Sequence, residues 1–409
     1  MKTGAAITGL GSVSALGVGA DNFWNALLEG RSGFRRLTRC EYPRRGCSVA
    51  AEVEEIEPMP LDGLSPLPRA VQLALLAARL AWLDARLEAD PARVGVVVGS
   101  GIGNIDLIEA AMSSIQQGQR LSPITGFRSF THAAACEIAR EFNLCGPIQT
   151  VTSGCNSGAD ALGLALDWIR LGRADAVIVG GTEAELSKGF LEVMTAARAL
   201  TARYNHTPQQ ASRPFDSSRD GNVPGEGAAF LVVENTDHAQ ARGAKIRAYL
   251  RGFANRAAGA RSPYDPFNPV FDSAPMLAAM KSALDDASIR ADALSAISAN
   301  GSSSVFYDPL EADAINRLMK DRTLSTPVYS IKGALGQTGA VTPALQAITA
   351  ALSIEHNVIP HTINVSVVDP RCALLVVRDE PRHARVNYVL ANAIGFGGFY
   401  YASMVFGAN

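Results

Sequence analysis

Short apolar runs alternate with helical stretches along most of this chain, and that alternation limits the fold more than any other feature. Val94–Gly99, Ala176–Gly180, Ala228–Val233, Tyr388–Ala391 and Ala402–Phe406 are rich in Val, Ile and Ala. Continuous apolar strands of this kind bury both faces. Between them, Ala70–Ala85 and Ala159–Leu171 carry apolar residues at helical spacing. The pattern predicts an α/β sheet covered by helices on both sides. With 409 residues, 47% of them hydrophobic, there is enough apolar side chain for a large core. Length alone predicts two or three domain-sized units, and the 37 glycines suit tight turns between strands and helices.

A formal net charge of −2 offers no basic excess for nucleic acid or an anionic membrane as an obligate partner. No window holds 18 uninterrupted apolar residues, so no membrane span is expected. The six cysteines, at 40, 47, 136, 145, 155 and 372, form no CxxC pair. Neither a disulfide framework nor a zinc or other metal site is suggested, and a reducing, cytoplasmic setting is the expectation. The N-terminal MKTGAAITGLGSVSALGVGA is interrupted by glycines too often for a secretory signal. A first strand over Ala5–Thr8 entering a glycine-rich turn is the better reading.

The sequence changes character near 235–262, where a helix-like TDHAQARGAK leads into a strand, Ile246–Phe253, and then a polar loop, AAGARSPYDPFNPV. This places a boundary near residue 245, dividing the chain into halves 1–245 and 246–409. Each half holds a strand–turn–helix with small residues in the turn: TSGCNSGADAL in the first and SIKGALGQTGAVTPALQAI in the second. The parallel suggests an internal structural duplication.

VTSGCNSGADALGLALDWIRLG carries the most chemistry. A strand ends near Val151, a Gly–Cys pair occupies the turn, and a helix follows. Cys155 then sits at a helix N-terminus, where the macrodipole and free N–H groups favour a thiolate. Two backbone N–H groups of such an elbow can face an oxyanion. A cysteine in a cytosolic core is most often a small buried hydrophobe; here the small flanking residues leave room for a thioester to approach.

Five motifs in order carry a resemblance over essentially the whole length: AAITGLGSVSALGVG, VGVVVGSGIGNIDLIE, TSGCNSGADALGLA, MTAARALTARYNHTPQQASRPFDSSRDGNVPGEGAAFLVVE and GFGGFYYASMVF. They resemble beta-ketoacyl-acyl carrier protein synthases, especially the elongating type II ketosynthases. The resemblance implies a five-layered αβαβα thiolase fold of two related halves and an obligate dimer. It also implies ping-pong chemistry on thioesters. The cysteine takes an acyl group from the phosphopantetheine of an acyl carrier protein, and two histidines assist decarboxylation of a malonyl unit. The resulting carbanion then extends the acyl chain. No bound cofactor is implied beyond the substrate's own phosphopantetheine arm.

Carried across by position, the nucleophile is Cys155. The first histidine, in a His-Gly-Thr motif of the family, is Asn300 in SANGSSSVFYDPLEADAI. Lys332 matches the family's lysine, but Gln337 replaces the second histidine, and Gln346 stands where the family carries a glutamate. Asn and Gln can donate a hydrogen bond to a thioester oxygen. Neither handles a proton near neutral pH, and losing such a group typically costs about 10²–10⁴-fold. None of the histidines at 132, 206, 238, 356, 361 and 383 sits in a motif that replaces them; His361 reads as structural or surface.

Ser302 and Ser304 match family hydroxyls beside the pantetheine arm, although turn hydroxyls look the same. Phe396 matches a gating phenylalanine beside the nucleophile. Ile108 falls where the family lines the acyl tunnel at the dimer interface, though a lone apolar residue more often belongs to plain core. Phe399 and Tyr400 stand where the family continues Thr-Asn, which alters the hydrogen bonding expected at the site's floor.

Three functions fit these residues. The first is a chain length factor, a non-condensing subunit that pairs with an active ketosynthase and shapes the acyl tunnel. The second is a Cys155-dependent acyltransferase that works without malonyl decarboxylation. The third is an elongating synthase with an altered Cys–Asn–Gln site. An acyl carrier protein is the expected partner in each, beside a ketosynthase partner in a heterodimer or a second copy in a homodimer.

Overall fold

The computed structural model describes residues 4–42, 46–54, 67–259, 271–320 and 324–408. The expected polar loop lies largely outside them. Ten strands follow one another along the path of an eleven-stranded sheet. They are β1 (Ala5–Ser14), β2 (Val94–Gly99), β3 (Ile148–Val151), β4 (Ala176–Glu183), β5 (Gly227–Glu234), β6 (Ala248–Ala257), β7 (Ala296–Ser298), β8 (Val328–Tyr329), β9 (Tyr388–Ile394) and β10 (Tyr400–Gly407). A short strand, Gly17–Val18, pairs with β1 off this path.

Spatial order reveals a repeat. The first five strands run β3-β2-β4-β5-β1 and the next five β8-β7-β9-β10-β6. In each set the second strand pairs in parallel with both the third and the fourth. Each set then closes with two antiparallel pairings, β4–β5–β1 and β9–β10–β6. Antiparallel pairing of Ala5–Ile7 with Ala248–Leu250 joins the two sets at β1 and β6.

Side-chain alternation along the strands shows what covers the sheet. Val97, Val177, Val179 and Leu231 face an inner core that also takes Val389, Ala391, Met404 and Phe406. Helices α4 (Ser157–Arg170) and α8 (Val341–His356) fill that core and touch strands of both sets. The alternate residues Val96, Val98, Ile178 and Phe230 face α1 (Arg69–Ala85) and α3 (Ala133–Glu141). Leu390, Ile394 and Val405 face α6 (Ala274–Ala287) and α7 (Tyr307–Met319). The result is five layers, αβαβα, with α4 and α8 in the middle. Strands buried on both faces need no polar alternation, which is why their sequences read as continuous apolar runs.

Two boundaries differ from expectation. β1 does not turn at Gly9 but continues to Ser14. A methyl group on Gly9 would lie 2.2 Å from the Ala81 carbonyl, and one on Gly11 would lie 2.0 Å from that of Ala77. These glycines therefore seat α1 flat on the strand rather than make a turn. The strand expected over Ile246–Phe253 is β6, Ala248–Ala257, carried further by its pairing with β10. None of the helices is long and apolar enough to cross a membrane, among the described residues.

Candidate active site

Cys155 lies between the end of β3 and the start of α4. The turn is held by Ser157, whose hydroxyl accepts from Ser153 N at 2.8 Å and donates to Gly154 O at 2.6 Å. Gly154 has φ of +59°, a value few side-chain-bearing residues adopt, and this sharp step lifts Cys155 into a cavity. The cavity measures about 170 Å³.

Three strand ends deliver the remaining groups. Asn300 follows β7. Its N–H donates to Glu311 Oε1 at 2.8 Å, while its Oδ1 accepts from Lys332 Nζ at 2.8 Å and Ile394 N at 3.2 Å. Because lysine can only donate, this contact assigns the amide orientation and leaves Asn300 Nδ2 on the cavity side. Lys332 follows β8, is buried, and does not itself line the cavity. Burial pulls its pKa down to about 8, opposed by Cys155, Glu311 and Asp308. Gln337 is pinned by backbone bonds to Val223 and Gly225, and its side-chain amide donates to the Cys155 sulfur. Phe396 follows β9; its backbone N–H also donates to that sulfur, and its ring lines the cavity.

Burial works against the thiolate expected at a helix N-terminus. Burial pushes the Cys155 thiol above its ordinary value and Glu185 adds to the effect; Lys332, Gln337 and the Phe396 N–H only oppose it. Desolvation is the largest of these effects.

The other expected site residues divide. Ser302 lines the cavity, its N–H donating to Asp308 at 2.9 Å. Ser304 does not line it: its hydroxyl accepts from the N–H groups of Phe306 and Tyr307, both at 3.2 Å, and so caps the start of α7. Ile108 is neither plain core nor cavity wall. It is 46% exposed on α2 (Ile105–Gln116), a helix with no buried residue in this chain alone. Gln346 is one layer back, where Nε2 lies 3.1–3.3 Å from Ser298 O, Ser298 Oγ, Ala299 O and Asn392 O and ties β7 to β9. Tyr400 O accepts from Gly395 N at 3.1 Å and closes the GFGG turn.

Sequence reasoning missed four acidic residues. Glu311 accepts from the N–H groups of Asn300 and Gly301 at 2.8 Å and from Asn392 Nδ2 at 3.1 Å; burial lifts its pKa to about 7. Asp308 accepts from the N–H groups of Phe215, Ser302 and Ser304 and so fixes the loop that holds Asn300. Glu183 and Glu185 line the cavity itself, at and beyond the end of β4. Carboxylates in TEAE directly after a buried apolar strand were the available signal, because such a strand end opens on the site.

The family model of the beta-ketoacyl synthase N-terminal domain matches residues 3–239, and that of the C-terminal domain matches residues 248–366. The chain belongs to the beta-ketoacyl synthase family. It is 35% identical over 405 residues to 3-oxoacyl-[acyl-carrier-protein] synthase 2 of Coxiella burnetii, covering 97% of each chain. Among solved structures, it resembles the ketosynthase complex of a type II polyketide synthase acyl-carrier protein bound to the hexaketide. The TM-score is 0.92 and the identity 28%, over the whole of both chains. It also resembles the ishigamide ketosynthase/chain length factor, with TM-score 0.90 and 30% identity over the whole of both chains. This beta-ketoacyl synthase relative is thus a type II ketosynthase-like chain of the kind found in polyketide and fatty-acid systems.

Proposed function

We propose that the chain is a chain length factor: a non-condensing subunit that pairs with an active ketosynthase and shapes the tunnel for the growing acyl group. One observation carries the reading. The groups that touch the Cys155 sulfur, Gln337 and the Phe396 N–H, are donors, and the Asn300 amide oxygen is held by Lys332. The two positions where relatives of this kind would carry histidines thus hold groups that offer hydrogen bonds but take no proton. Raising the thiol pKa works in the same direction. The similarity to a ketosynthase/chain length factor structure is consistent with pairing. The acyl groups arrive on the phosphopantetheine of an acyl carrier protein in the cytoplasm, and the exposed apolar face of α2 around Ile108, Met112 and Ile115 meets the partner.

Co-expression with a type II ketosynthase tests this reading. A stable one-to-one complex should form, and intact mass should show acyl groups on the partner's cysteine and none on Cys155. Acylation followed by product release from this chain alone would overturn it.

A second reading is favoured by the same cavity. Gln337 Nε2, Asn300 Nδ2 and the Phe396 N–H converge around Cys155 as a cradle for a thioester carbonyl, which suits an acyltransferase that needs no malonyl decarboxylation. Acyl-Cys155 that discharges to an added acceptor, with no carbon dioxide released, would favour it over the first.

A further inference from the structure

The cavity is more polar than an alkyl chain requires. Ile102, Phe190, Met194 and Ile394 form an apolar wall, but Glu185, Asn222 and Gln337 face the same space. Glu185 and Asn222 are 6% and 7% exposed. Among the described residues no hydrogen-bond donor reaches the Glu185 carboxyl, in contrast to Glu183. The latter accepts from Gly101 N at 2.7 Å, Ile102 N at 3.2 Å, Ser100 Oγ at 3.3 Å and Ala340 N at 3.4 Å. Among the described residues, Asn222 Oδ1 and Gln337 Oε1 are buried and have no hydrogen-bond partner. A methyl group on Gly339 would sit 3.0 Å from Glu183 Oε2 and 3.1 Å from Glu185 Oε2, so the two carboxyl groups share one corner of the cavity.

Their roles differ because their surroundings do. Glu183 has four donors and holds the charge more readily, although burial still lifts its pKa to about 7. Burial and the neighbouring Glu183 both raise the Glu185 carboxyl well above the usual carboxylate range, which favours its acid form, with an O–H to donate. The cavity therefore offers one donor and two acceptors without partners among the described residues. A saturated acyl chain would leave all three unpaired, which is costly for buried groups. A hydroxyl both accepts and donates, and satisfies the donor and one of the acceptors at once.

We propose that the cavity beside Cys155 receives an acyl group bearing a hydroxyl close to its carbonyl, with Glu185 donating to the hydroxyl oxygen and Asn222 Oδ1 accepting its proton. Glu185 is then the residue that selects the acyl group. The inference rests on the second reading above, in which this cavity takes acyl groups from a carrier protein, and it names their class.

The test is direct binding to the purified full chain in the assembly it forms. The probes are two amide-linked pantetheine analogues that cannot acylate Cys155, one hexanoyl and one 3-hydroxyhexanoyl. Calorimetry should show the hydroxylated analogue binding about tenfold more tightly, the range expected when a buried polar group would otherwise go unpaired. Glu185→Ala should reduce the ratio to about one, and Glu185→Gln, which keeps a donor and an acceptor, should restore much of it. If Glu185→Ala does not fold, Asn222→Ala serves instead, with the same expected loss. Equal affinities in the wild type, tighter binding of the hexanoyl analogue, or binding of neither would overturn the proposal. Acylation of Cys155 by an acyl carrier protein is measured separately by intact mass, so failure of the acyltransferase reading is distinguishable from failure of this one.

Discussion

Lys332 Nζ donates to Asn300 Oδ1 at 2.8 Å, in a buried position behind the cavity wall. This one contact decides the chemical face of Asn300. With its oxygen turned towards the lysine and the Ile394 N–H, the side chain offers the cavity an NH₂ and nothing that accepts a proton. The retained lysine and the replaced histidine thus act as a unit.

Restoring two proton-handling side chains should restore chemistry if the frame is intact. A histidine at 300 can accept from Lys332 through one ring nitrogen and present the other to the cavity. The double variant N300H/Q337H is expected to release carbon dioxide from malonyl carrier protein at least about 10²-fold faster than the wild type. Each single variant should stay near the wild-type rate. Radiolabelled carbon dioxide release checks it.

Lys332 also predicts a pH dependence of stability. Its pKa falls from 10.5 unfolded to about 8 folded, so between these values the unfolded chain binds more protons. Stability from this group is therefore diminished below about pH 8 and recovers as pH rises towards 10.5. The full difference is roughly 3 kcal/mol. Thermal unfolding from pH 7 to 10 should show the wild type gaining on Lys332→Met across that window.

Cys155 should alkylate slowly at neutral pH, because burial and Glu185 hold its thiol up. Glu185→Gln removes the second of these, which acts through the carboxylate that Glu185 forms at the alkaline pH where the thiol ionises. The midpoint of the iodoacetamide rate against pH should then move to lower pH, read by intact mass. An unchanged profile would show that Glu185 does not act on the thiol.

Gln346 gives a prediction about stability alone. Its NH₂ lies against three backbone carbonyls, at Ser298, Ala299 and Asn392. Gln346→Glu would place a carboxylate oxygen there and leave those carbonyls without a donor. A loss of about 1–3 kcal/mol is expected, measured by denaturant unfolding.

On α2, Ile108, Met112 and Ile115 are 46%, 53% and 52% exposed, a stripe that water alone would not favour. Ile108→Asp with Met112→Asp should lower the assembly's mass by about half in sedimentation, if this face joins two subunits.

Much of this was legible in the sequence, for physical reasons. Strands such as Val94–Gly99 and Ala228–Val233 were plain because burial on both faces leaves an unbroken apolar run. Cys155 was named from its strand–turn–helix setting, and Asn300, Lys332 and Gln337 from the family resemblance; the structure brings all four together, three of them on the cavity. Side-chain direction was not legible. Ser302 and Ser304 are two residues apart, yet one faces the cavity and the other caps a helix. Gly9 and Gly11 looked like a turn because the close approach of α1 leaves no trace in neighbouring letters. Glu185 was missed since its effect depends on Glu183 and on burial, both set by tertiary contact.

The seam between β1 and β6 has a consequence for synthesis. β1 pairs with β5 around residue 230 and with β6 around residue 249, and the inner face of its half is filled by α8, which begins at Val341. A nascent chain thus exposes apolar strands for most of its time on the ribosome, before the helix that covers them emerges. The first half cannot finish folding early; it must wait for α8 to emerge, and until then a chaperone or a dimer partner has its longest opportunity to engage it.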